Sequence, residues 1–132
     1  VGRDGCRVPL PWESGAGAAN GFNKTGKSWL PQPEIYAAYS RDQQDGVVGS
    51  TLELYKHALK LRKQLRIGEG SFEWVKEFTN ENSLAFRNGD ILVVHNFGED
   101  AVALPEGEVI LQSWTGTYIG ALPGNQSVWL RL

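Results

Sequence analysis

The chain has 132 residues, 41% of them hydrophobic and 21% charged, with a formal net charge of −2. That is enough chain for one ordinary soluble, globular domain. The charge offers no global field for nucleic acid or anionic lipid, and no apolar run approaches the ~18 residues of a membrane span. Cys6 is the only cysteine, which excludes an intramolecular disulfide; with no visible signal peptide, the expected setting is reducing and cytoplasmic.

The first fifty residues are irregular, rich in glycine, and carry four of the six prolines (Pro9, Pro11, Pro31, Pro33). They open on "GRDGCRVPLPW", the most chemically dense stretch of the chain. Disorder is disfavoured, because Trp12, Phe22, Trp29, Leu30, Ile35 and Tyr36 are costly to leave in water. A long ordered loop is expected over residues 1–50, packed less tightly than residues 70–132, its partner surface lying outside this sequence. The absence of methionine fits a chain taken from a larger protein.

Residues 51–66 read as a helix. Ser50 is the N-cap and Glu53 completes a capping box. Leu54, Ala58, Leu61 and Leu65 form one apolar row, with Leu52, Tyr55 and Leu59 beside it. Lys56, Lys60, Arg62, Lys63 and Arg66 fill a solvated face, and Gly68 is the expected left-handed stop.

From residue 70 the period changes to that of strands. "SFEWVKEFT" reads as one strand, and "SLAFRNGDILVVHNF" as a hairpin signalled by Asn88-Gly89. "AVALPEGEVILQSWTG" gives two more strands, and "SVWLRL" the last. Short strands with frequent turns imply an antiparallel sheet or sandwich.

Chemical motifs are sparse. His57, His95 and Cys6 lack metal-ligand spacing, so no metal and no cofactor is expected, and His95 reads as a hydrogen-bonded sheet residue. There is no nucleophile elbow, and "GKS" at 26–28 lacks the phosphate-loop glycine. The acids Asp4, Glu13, Glu34, Asp42 and Asp45 sit on predicted loops, with nothing placing two of them together as glycoside chemistry requires. Five tryptophans admit either core packing or sugar stacking by exposed Trp74, Trp114 or Trp129.

"RDGCRVPLPWE" (3–13) resembles a stretch of glycoside hydrolase family 13, the α-amylase family, in its exo-acting α-glucosidases and oligo-1,6-glucosidases. Arg3, Asp4, Arg7, Pro9 and Trp12 match that motif, while Val8 and Leu10 replace its usual Thr and Met. "GFNKTGKSWLPQP" (21–33), the 50–66 helix and the strand-rich tail resemble the segments that follow it. The resemblance implies a mixed architecture. Residues 1–68 would be the end of a (β/α)8 barrel, a long loop plus the last helix, and 69–132 an antiparallel all-β domain.

It further implies that the chain is the C-terminal piece of a retaining α-glucosidase acting on α-glucoside oligosaccharides or disaccharides. The catalytic carboxylates would lie upstream, so the piece would be inactive alone, its β domain stabilising the barrel. Catalytic and metal residues are then none in this sequence. Arg7 is the one substrate-binding residue carried over, gripping the terminal glucose before the scissile bond. Arg3 and Asp4 would brace the loop, Trp12 would anchor it, and Cys6 would be a small buried filler. The implied partners are the sugar and the upstream barrel, with no nucleic acid or membrane. A free-standing carbohydrate-binding β domain is the alternative.

Overall fold

The computed structural model describes residues 2–132. The chain divides into two compact units, the first ending at Glu53 and the second spanning Leu54–Leu132.

The first unit is built of turns. Asp4–Arg7 and Glu34–Tyr39 are 3₁₀ turns, and α1 (Arg41–Gln44) is a single helical turn. Among its described residues only Ala19 and Ser40 are buried. Most of its large apolar side chains stand in solvent: Trp29 is 89% exposed, and Leu10, Trp12, Phe22, Ile35 and Tyr39 are exposed as well, while Leu30 and Tyr36 are half-buried. Order comes instead from hydrogen bonds and left-handed turns. Gly21 (φ 72°) shows why glycine is required, since a Cβ there would sit 3.0 Å from the Glu13 Cβ.

Helix α2 (Thr51–Gln64) fills the expected span. Ser50 caps it, its Oγ accepting the Glu53 N–H at 3.2 Å. The Glu53 carboxylate reaches instead to the Gly46 N–H at 2.9 Å, so it tethers the preceding turn. The row Leu54, Ala58, Leu61 and Leu65 is half-buried, while Tyr55 and Leu59 of the neighbouring row are exposed.

The helix does not stop at Gly68 as expected. Arg66 takes the left-handed conformation (φ 53°), the Ile67 N–H reaches the Arg62 carbonyl, and the Arg66 N–H reaches that of Lys63. Those two bonds are the Schellman pattern, with an arginine where glycine is usual. Gly68 follows at φ 105°, as part of the loop beyond.

The sheet holds β1 (Phe72–Trp74), β2 (Ser83–Asn88), β3 (Ile91–Asn96), β7 (Gln126–Arg131) and β5 (Glu108–Gln112), in that order, all antiparallel. A two-stranded ribbon pairs β4 (Val102–Ala103) with β6 (Ala121–Leu122). Alternation assigns the sheet two faces. One carries Ala85, Leu92, Val94, Val128 and Leu130, which form the core with Leu104 and Leu122. Val75, Phe78, Val102, Trp114 and Tyr118 pack against it. The other carries Trp74, Phe86, Val93, Trp129 and Leu111 in one transverse row.

The predicted hairpin forms, but its two-residue loop is Gly89-Asp90, because Asn88 still pairs with Ile91. Positive φ at Gly89 alone is the type II′ pattern. The strand expected over "SFEWVKEFT" stops at Trp74. A 3₁₀ turn (Lys76–Phe78) intervenes, and the Thr79 Oγ1 then accepts the Ala85 N–H at 3.1 Å.

Asn96, 2% exposed, closes the end of β3. Its amide donates towards the Asp100, Leu122 and Pro123 carbonyls at 2.8, 3.2 and 3.1 Å, and its Oδ1 accepts the Gly98 N–H at 3.0 Å.

Candidate functional site

Arg7 ends the first 3₁₀ turn, exposed, and the chain then extends through Val8 (φ −62°, ψ 130°). Its guanidinium makes no ion pair with Asp4. Cys6 is exposed rather than a buried filler, its thiol donating to the Arg3 carbonyl at 2.9 Å; a 3₁₀ turn this short has no inner side to bury it. Arg3 and Asp4 are exposed too.

What holds the segment after Arg7 is a set of polar brackets on its backbone. The Gln32 amide donates to the Pro9 carbonyl at 2.9 Å, and its Oε1 accepts the Asn20 amide at 2.9 Å. The Trp12 and Glu13 N–H groups both reach the Asn20 carbonyl, at 2.8 and 3.0 Å. The first N–H groups of α1, which have no partner inside the helix, are used here: Arg41 donates to Pro11 and Asp42 to Trp12, each at 3.2 Å.

The Asp42 carboxylate then takes the Ser14 N–H on both oxygens, at 3.0 and 3.1 Å. The fully buried Ser40 donates its hydroxyl to the same group, and Gln43 adds a bond at 3.3 Å. The Ser40 hydroxyl, ahead of the Ser14 and Gln43 bonds, holds the Asp42 carboxyl below its ordinary 3.8, against a partial desolvation. Trp12 is therefore held through its backbone, and the residue is 44% exposed. Asp42 sits on a helical turn, not on a loop as expected.

On the sheet, His95 accepts or donates through Nδ1 to the Ser127 hydroxyl at 2.7 Å, between Phe86 and Phe97. This is the hydrogen-bonded sheet histidine expected from sequence. Burial pushes its pKa down. Among the described residues no carboxylate bonds its other ring nitrogen, so the pair lacks the orienting group of a nucleophilic triad. Among the described residues no three potential metal ligands converge, and no helix is long and apolar enough to cross a membrane.

Trp74 is 57% exposed, but Phe72 and Phe86 meet it edge-on, at 88° and 83°. Trp114 packs against the core, and Trp129 is half-buried.

No family model matches the chain. It is similar to the salivary alpha-glucosidase of Aedes aegypti, 35% identical over 107 residues, and to a probable alpha-glucosidase of Rhizobium meliloti, 30% identical over 105. These alignments cover 77% and 76% of this chain, which spans 18% of the length of each relative. The trehalose-6-phosphate hydrolase of Bacillus licheniformis shares the fold at a TM-score of 0.76 and 25% identity, over 96% of this chain and 26% of that one. The antiparallel sheet with few helices matches the all-β domain that closes such enzymes. The chain belongs to glycoside hydrolase family 13, the α-amylase family, as a C-terminal portion of one of its members.

Proposed function

We propose that this chain is part of a retaining, exo-acting α-glucosidase that releases glucose from the non-reducing ends of α-glucosides in the cytoplasm. Arg7 grips the terminal glucose in the whole enzyme, and the sheet domain supports the catalytic barrel. The observation that carries this reading is the exposed Arg7, presented at the start of a backbone segment bracketed from Pro9 to Ser14. A permanently charged, planar fork on a braced support suits paired sugar hydroxyls or a carboxylate that itself holds the sugar. The α-glucosidase names of the two sequence relatives support the substrate class.

The three carboxylates of the family reaction belong to the upstream barrel, so this chain alone performs no hydrolysis. The test uses an aryl α-glucoside. The isolated chain is expected to release no aryl alcohol, and the full-length enzyme to turn over. In the full-length enzyme Arg7→Ala should lower kcat/KM by roughly 10- to 100-fold, the worth of one charge-assisted hydrogen-bonding group. Turnover by the pure isolated chain overturns the division of labour, and an inert Arg7→Ala overturns the sugar contact.

A further inference from the structure

We infer that Asp42 is a positioning residue that sets the reach of Arg7, by clamping the Pro11–Ser14 backbone against helix α1; the inference rests on the proposed sugar contact of Arg7. The Ser14 N–H bonds both Asp42 carboxylate oxygens, while the Asp42 N–H bonds the Trp12 carbonyl and the Arg41 N–H that of Pro11. One residue thus grips the segment from both sides, through its side chain at Ser14 and through its backbone at Trp12.

The clamp is set in its own support. Ser40, fully buried, donates to the same carboxylate from the residue preceding α1, and Gln43 donates from within the turn. The far end of the segment is tied separately, by Gln32 at Pro9. Pro9 and Pro11 have fixed φ and no N–H, so the span between the ties is stiff. Displacement at Ser14 is therefore transmitted along a stiff strut towards Arg7, and a shift of about 1 Å in a substrate contact costs up to ~100-fold in rate.

A double-mutant cycle in the full-length enzyme tests this on an aryl α-glucoside. Asp42→Asn keeps the shape and removes the charge that holds Ser14. It should lower kcat/KM by roughly tenfold, mainly through KM, with Asp42→Glu partly restoring it. Combined with Arg7→Ala, it should add almost nothing, because Asp42 acts through Arg7. In this chain, Asp42→Asn should speed hydrogen exchange at the Ser14 amide without moving exchange in β3.

If Arg7→Ala is damaging and Asp42→Asn adds its full loss on top, the positioning role is overturned while the sugar contact stands. An Asp42→Asn enzyme with unchanged kcat/KM has the same meaning. If Arg7→Ala is inert, both the sugar contact and the positioning role fall. A Ser14 amide whose exchange does not change overturns the clamp itself.

Discussion

The two units hold their shape by opposite means. The Leu54–Leu132 unit buries a continuous apolar cluster in which Leu92, Val94, Leu122, Val128 and Leu130 are sealed from solvent. Among its described residues, the unit that ends at Glu53 buries no large apolar side chain, and it leaves Trp29 and Phe22 in water. Its shape follows from polar brackets on the backbone at Pro9, Pro11, Trp12, Glu13 and Ser14. The apolar driving force is non-directional, whereas a hydrogen bond weakens steeply as its donor angle closes.

The sharpest way to break this contrast is a pair of truncations. Leu122→Ala should cost about 2–5 kcal/mol by urea unfolding, as a large-to-small change in a sealed core. Trp29→Ala removes a far larger side chain yet should stay within about 0.5 kcal/mol. A Trp29→Ala loss comparable to that of Leu122→Ala would mean that the loop unit has a core after all. A smaller effect is expected at the end of α2. Arg66→Gly removes the strain of a side chain in the left-handed region, and the exposed Arg66–Glu69 pair it also removes is worth little. It should gain about 0.5–1 kcal/mol, read as a higher urea midpoint at unchanged slope.

The smallest expected effect is a matter of pH, and it separates the units. A folded-state pKa below the ordinary 3.8 means that the Asp42 bracket contributes stability above that value and loses it as pH falls through the lowered one. Ser14 amide protection should therefore drop at the acid end, after correction for intrinsic exchange. His95, whose pKa is also depressed but from 6.5, favours the folded state above that value and gives up its contribution as pH falls through its own lowered pKa. Acid should loosen the β3–β7 pairing at Ser127 before it loosens Ser14. The reverse order would contradict both assignments.

Much of the sheet was legible because its signals are local. Alternating apolar residues around Asn88-Gly89 give the β2–β3 hairpin, and Ser50 with Glu53 gives the start of α2. The one-residue offset of the turn, with Gly89-Asp90 at its tip, depends on how far the pairing zips, which composition does not encode. The strands on either side of Pro105 were legible as strands, but β4 joins the ribbon and β5 the main sheet, a choice made by distant partners. Arg66 replaced Gly68 as the helix stop because the bonding pattern, rather than the residue with the best propensity, fixes the end. In the loop unit Arg7 stood out only through its motif. Asp42 was lost among the loop acids because its partner Ser14 lies 28 residues away.

Asn96 gives the meander a way to recognise its own mistakes. Strand residues alternate between faces, so a slip of β3 by one position against β2 or β7 would carry Asn96 to the opposite side of the sheet. The carbonyls of Asp100, Leu122 and Pro123 and the N–H of Gly98 would then lose their shared partner together. The buried Leu122 carbonyl, once orphaned, costs about 1–3 kcal/mol, and the part-buried groups add less, so a mispaired sheet is penalised at one residue. The apolar residues of β3, Ile91 to Val94, are interchangeable enough in size to accept the wrong register. A single buried amide supplies the discrimination that they lack.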